Sequence, residues 1–179
     1  MTARGAGRSN KASARQARPE RRKARAPAAS GGVIDIAWDG VRRSVTDARV
    51  REAADLARRH GRAPQLSLSI VFVTDEALAR MHGVHLADPT PTDVITFDLT
   101  DEIGGVSGEL YVSAERARIV ARRRKVVLQR ELLLYVVHGV LHLCGFDDHA
   151  PADRKRMRAA ENAVMKRLGF EPDRLPHDD

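Results

Sequence analysis

The chain has 179 residues, 4% aromatic content, one cysteine and a formal net charge of +7. That length is enough for one domain with a core that needs no covalent staples. The single thiol, Cys144, excludes an intramolecular disulfide and a Cys-rich zinc ribbon. No apolar run approaches the roughly 20 residues of a membrane-spanning helix, and the N-terminus lacks the apolar segment of a secretory signal, so a cytoplasmic protein without a membrane partner is expected.

The charge is not spread evenly. Residues 1–32 carry nine Arg/Lys against one acid, Glu20, which leaves 22 basic and 23 acidic residues in the remainder. With its Ala, Gly, Ser and Pro filling, this segment cannot bury enough apolar surface to offset the entropy of ordering it, and a disordered basic tail over 1–32 is expected. Two roles stay open for it, an RNA-binding arm or a passive solvated extension.

Order is expected from Val33. "VIDIAW" alternates as a half-buried strand, and a helix follows from an N-cap at Thr46 or Asp47 to a stop at Gly61. Leu66–Val73 reads as the clearest strand, with Leu66, Leu68, Ile70 and Phe72 on one face. Thr74, Asp75 and Glu76 open a helix expected to reach about His82, and Pro89 and Pro91 then break the pattern. "DVITFDL" and "GELYVS" read as two short strands around a Gly-rich connection, Gly104 to Gly108. A basic helix, "AERARIVARRRK", comes next. Leu128–Leu143 is apolar on nearly every face, as in a helix buried on all sides, and an amphipathic helix over about Ala152–Leu168 ends the domain. The resulting expectation is an α+β fold, a small mixed four-stranded sheet packed by about five helices, in a domain spanning 33–170 with a C-terminal tail over 171–179.

Within the buried helix, His138 and His142 stand four residues apart, so they share a face about 5.4 Å apart along the axis. Gly145 supplies a helix stop, after which Asp147, Asp148 and His149 can return toward the two imidazoles. Three nitrogens around a zinc ion at roughly 2.0–2.1 Å would leave one tetrahedral position open, as in a catalytic site. Gly139 follows His138, so the chain lacks the glutamate that serves as general base in H-E-x-x-H metalloproteases.

"HGVLHLCGFDDH" resembles the H-G-x-L-H-L-x-G-Y-D-H signature of the YbeY endoribonucleases. "PTDVITF" at 91–97 is similar to their P-T-D-V-L-S-F segment, and "GELYVSAERA" at 108–117 to their G-D-I-x-I-S-x-E-R-A. The resemblance covers about residues 33–169. It implies a zinc-dependent, single-strand-specific endoribonuclease that acts with rRNA and the ribosomal small subunit, in 3′-end maturation and ribosome quality control. The family's first two histidine ligands fall on His138 and His142. Its usual spacing places the third on Asp148, and His149 follows one residue later. A His₃ site with one Zn²⁺ held by His138, His142 and His149 is expected, with Asp147 and Asp148 as candidates for proton transfer or support of a ligand imidazole.

One departure bears on mechanism. Where the resemblance leads one to expect an arginine linked to RNA cleavage, the chain has Leu86, and phosphate-contacting charge has to come from elsewhere. Arg116, Arg118, Arg122, Arg123, Arg124 and Lys125 on one helix are candidates, as is the tail; His82 and His85 could line the same cleft, and Asp93 and Glu109 could orient an imidazole or a loop amide. Two other readings stay open: a ribosome-associated factor with a structural zinc and no cleavage activity, and a metal-dependent hydrolase of another bond.

Overall fold

The computed structural model describes residues 31–86, 92–100 and 107–172. The basic segment up to residue 30, Pro89 and Pro91, the Gly104–Val106 part of the connection and the last seven residues lie outside the described residues. Nine elements follow in order: β1 (Ile34–Trp38), α1 (Asp47–His60), β2 (Ser67–Val73), α2 (Asp75–Leu86), β3 (Val94–Asp98), β4 (Ser107–Ser113), α3 (Ala114–Arg124), α4 (Leu128–Leu143) and α5 (Pro151–Arg167).

The strands form one mixed sheet in the order β1-β2-β4-β3. β1, β2 and β4 run parallel, with Ile36 opposite Ile70 and Ile70 opposite Leu110, while β3 is antiparallel to β4 with Val94 opposite Val112. Alternation along β2 sends Leu66, Leu68, Ile70 and Phe72 into the main core, and Val71 and Val73 to the opposite face. The main core lies between the sheet and α1, α4 and α5; the smaller cluster on the other face is closed by Leu78, Ala77 and Met81 of α2.

Local chemistry explains the element ends. Thr46 Oγ1 accepts a hydrogen bond from the Arg49 amide and caps α1, and Val50, Ala53, Ala54 and Ala57 form its fully buried stripe. The buried Arg58 side chain donates to the carbonyls of Gly32 and Leu66, both at 2.7 Å, and to Asp55, fixing the entries to β1 and β2 against α1. α2 runs past the expected end near His82 to Leu86. Gly83 costs a helix only about 1 kcal/mol relative to alanine and does not stop it. α4 is buried continuously from Arg130 to Val137, and burial of each of Leu132, Leu133 and Leu141 contributes about 1.5–3 kcal/mol. The sequence expectation of an α+β fold with a four-stranded mixed sheet and five helices agrees with this architecture. Among the described residues no helix is long and apolar enough to cross a membrane.

Candidate metal centre

α4 ends in a stop that shapes everything after it. Cys144 closes the helix, Gly145 takes a left-handed conformation at φ +86°, its amide donates to the His142 carbonyl at 2.8 Å, and the Phe146 amide donates to the Leu141 carbonyl at 3.1 Å. These are the paired bonds of a Schellman turn, and glycine occupies the one position where a Cβ would be strained. The reversal returns the Phe146 carbonyl toward the helix, where it accepts a hydrogen bond from His142 Nδ1 at 3.0 Å.

His138 is fixed from another element. Its Nδ1 lies 2.6 Å from Oε1 of Glu161, a carboxylate on α5 that is only 5% exposed. A carbonyl and an ionised carboxylate can only accept, so both imidazoles carry their proton on Nδ1 when neutral. Both Nε2 atoms are then bare, yet they face one another at 3.0 Å. Two lone pairs at that distance repel unless a cation or a proton lies between them. Burial by itself would lower the pKa of His138, but the Glu161 hydrogen bond and charge, with Asp93 and Asp148, raise it above the usual value. His142 is held below it by burial and by the charge of His138.

Asp148 completes the group. Its Oδ2 is 3.6 Å from His138 Nε2 and its Oδ1 is 3.8 Å from His142 Nε2, and the ligand atoms of His138, His142 and Asp148 all lie within 4.8 Å of one another. Bonds of about 2.0–2.1 Å to a tetrahedral ion separate its ligand atoms by about 3.3 Å, so the trio spans one face of such a site with small adjustments. The residues present fit a divalent ion of the zinc type.

His149, expected as third ligand, lies outside this trio. Its side chain is 88% exposed, and Nδ1 is hydrogen-bonded to Asp147 and lies 3.9 Å from Asp148 Oδ1. The helix stop aims residue 148 at the histidines, and the next residue in the turn points elsewhere. Asp147 organises the loop: Oδ1 accepts from the Asp148 amide at 2.7 Å and the His149 amide at 3.3 Å. The His149 hydrogen bond and those two amides hold its carboxyl down at about 2. It stays ionised but is a weak proton acceptor. Arg154, in the first turn of α5, donates to the carbonyls of Asp148 at 3.3 Å and His149 at 2.8 Å, and so ties the loop to the helix that carries Glu161.

The remaining sequence candidates separate. Asp93 contributes negative charge at both His138 and the buried Tyr135. Glu109 does not serve the centre: Gly108 and Leu110 face α4, so Glu109 projects from the opposite side of the sheet, where it accepts from the Tyr111 hydroxyl at 3.2 Å. His82 Nδ1 is buried without a partner among the described residues, and the side chains of His85 and Leu86 lie outside them. Gly139 has a packing role. A Cβ there would meet Leu110 Cδ2 at 2.6 Å, so a side chain at the position that bears the protease glutamate in H-E-x-x-H would have to displace Leu110 here.

Glu161 is the residue of this cluster that sequence reasoning missed. Its signal was present: Met157, Ala160, Val164 and Leu168 mark the apolar stripe of α5, and Glu161 falls on that stripe, where an unpaired carboxylate would be costly.

An α+β domain carrying a His/His/Asp cluster at the end of a buried helix defines a class of candidate metalloprotein, and comparison with known proteins narrows it. The Endoribonuclease YbeY family matches over residues 38–169. An Endoribonuclease YbeY of Chlorobium luteolum is 32% identical over 127 residues, 71% of this chain and 92% of that protein; one of Chloroherpeton thalassium is 30% identical over 128 residues, 72% and 90% respectively. One of Flavobacterium psychrophilum reaches 40% over 101 residues, 55% of this chain and 70% of its own. The solution structure of a Thermotoga maritima protein superposes with a TM-score of 0.53 at 21% identity, covering 82% of this chain and 100% of the other, which supports the fold. The chain belongs to the Endoribonuclease YbeY family.

Proposed function

We propose that this protein is a zinc-dependent endoribonuclease for single-stranded RNA that acts in the cytoplasm on small-subunit rRNA, in 3′-end maturation and ribosome quality control. The observation that carries the metal dependence is the convergence of the His138 and His142 Nε2 atoms, 3.0 Å apart with both Nδ1 sites engaged elsewhere, on the Asp148 carboxylate. His138, His142 and Asp148 would hold the ion, with Asp148 in place of the expected His149. A bound zinc supplies Lewis acidity toward a phosphate oxygen and activation of water.

The chain's own residues do the positioning. Glu161 and the Phe146 carbonyl keep both imidazoles in the tautomer that presents Nε2, and Asp147 and Arg154 hold the loop that carries Asp148. His149, 88% exposed on the loop that carries Asp148, is open to an incoming substrate.

The experiment is metal analysis with cleavage assays on single-stranded and structured RNA, using His142→Ala, Asp148→Asn and His149→Ala. His142→Ala should lose zinc and all cleavage. Asp148→Asn should lose zinc comparably, while His149→Ala keeps it. Full zinc occupancy in His142→Ala would remove the proposed site, and the opposite ranking of the last two variants would restore His149 as ligand. Leu86, where the family resemblance leads to an arginine, favours a second reading in which the protein binds ribosomal RNA without cutting it. Zinc-loaded protein that binds RNA and leaves it intact would decide for that reading.

A further inference from the structure

Six basic residues crowd α3 and its C-cap, and the fold divides them. Arg116 Nε faces Asp75 at 3.7 Å, beside a cavity of about 230 Å³ lined also by Glu76, Ala79 and Thr92. Arg124 is nearly buried and pairs with Glu131 of α4 at 3.4 Å. These two serve the helix packing. The side chains of Arg118, Arg122, Arg123 and Lys125 have no carboxylate or other hydrogen-bond partner among the described residues.

Other helices are built differently. Arg49, Arg59, Arg80 and Arg156 each meet a carboxylate three or four residues away on their own helix. α3 has one acid, Glu115, and that side chain accepts from the Asp75 amide at the start of α2. Among the described residues no carboxylate pairs with Arg118, Arg122, Arg123 or Lys125.

The helix phase places the unpaired cations together. Ala114, Ala117 and Ala121 form the buried stripe of α3, so the opposite face centres on Ile119, which is 60% exposed. Arg122 and Arg123, both exposed, are three and four residues from Ile119 and share its face, while Arg118, one residue away and half-buried, is turned about 100° to the flank, one turn from Arg122. A cationic face without internal counter-charge is complementary to a polyanion. An apolar centre adds contact for sugar or base surface.

We infer that the outward face of α3, through Arg122 and Arg123 with Arg118 at its flank, is the surface that engages the phosphodiester backbone of RNA bound at the metal centre. α3 leads into α4 through the short turn 125–127, so Arg122 and Arg123 sit level with the start of α4; ten residues of helix, about 15 Å at 1.5 Å per residue, lead from Leu128 to His138, a span that a single strand of several nucleotides covers. The inference rests on the proposed RNA-directed function. It supplies the phosphate contacts that Leu86 cannot make.

The test compares the parent with Arg118→Gln/Arg122→Gln/Arg123→Gln and with a charge-matched control, Arg42→Gln/Lys166→Gln/Arg167→Gln, whose exposed residues lie outside α3. Binding of a fluorescent single-stranded 2′-O-methyl oligouridine, its integrity checked on a denaturing gel, is followed from 50 to 200 mM salt. Each phosphate contact on a single strand contributes about −0.7 to the slope of log K against log salt, so losing three should flatten the slope by about 2, equivalent to about 20-fold less salt-induced weakening over that range. The control should keep the parental slope. With cleavable RNA, the α3 variant should raise KM and leave kcat unchanged, and its thermal midpoint should stay near that of the parent.

Parental salt dependence in the folded α3 variant, or equal flattening in the control, overturns the assignment. A parent that binds but does not cleave would instead fail the enzymatic reading, while the binding slopes still judge the α3 face.

Discussion

Removing the carboxylate of Glu161 should weaken metal binding without touching a proposed ligand. The group is 5% exposed, 2.6 Å from His138 Nδ1, and reaches it from a different helix. In Glu161→Ala the Nδ1 proton loses its acceptor in a buried site, which costs about 1–3 kcal/mol of stability before any cavity is counted. His138 also loses basicity, because burial then acts on it with less opposing negative charge. Loss of such a partner to a ligand imidazole typically lowers metal affinity 10–100-fold, or about 1.4–2.8 kcal/mol of binding free energy. Glu161→Gln retains an acceptor oxygen and the volume but not the charge, so its affinity should fall between those of the parent and the alanine variant. The assay is competition for zinc with a chromophoric chelator, alongside urea unfolding of the metal-free proteins. Parental zinc affinity in a folded Glu161→Ala protein would refute the reasoning, because it would mean that His138 needs no orienting acceptor.

Three further outcomes are expected. Gly139→Ala places a methyl 2.6 Å from Leu110 Cδ2 and 3.1 Å from Val94 Cγ2, and should lower stability in urea by about 1–2 kcal/mol, overpacking outweighing the helix preference of alanine; an unchanged midpoint would show that α4 does not press on the sheet there. Burial pushes the Cys144 thiol up to about 11, so alkylation near neutral pH should be far slower than for free cysteine and should accelerate only as pH approaches 11; rapid reaction at pH 7 would contradict its packing. Burial opposes ionisation of Asp55, but the hydrogen bonds and charges of Arg59 and Arg58 outweigh it and depress the folded pKa. The ion pairs therefore stabilise the protein above the unfolded carboxyl pKa, and the contribution is lost as pH falls through the folded value: Asp55→Asn should cost about 1 kcal/mol at pH 7, and chemical denaturation should show that gap closing as pH falls through the depressed folded pKa.

Much of the fold is legible in the sequence because its signals are local. Thr46 caps α1 through a hydrogen bond three residues away, and the apolar run 128–143 coincides with α4 at both ends, since the segment has its stop in the residues that follow it. The spacing of His138 and His142 needs only helix geometry to bring their rings onto one side. Alternation along 66–73 likewise assigns the inward face of β2 without reference to any partner. By itself, then, the sequence determines the elements, the faces they bury and the pair of imidazoles.

Tertiary structure decides what those imidazoles can do. Which of Asp148 and His149 approaches them depends on the direction in which the turn after Gly145 aims successive side chains, and one residue of difference reverses the answer. Glu161 lies 23 residues from His138 in sequence, and only the packing of α5 against α4 turns a charge on an apolar stripe into the acceptor that orients a ring. The same holds for α3, whose arginines are alike in sequence; two become structural because Asp75 and Glu131 come from other elements to meet them. Local periodicity records which side of a helix is buried. It holds no information about which charges from distant segments arrive there, because that is set by the relative placement of whole elements.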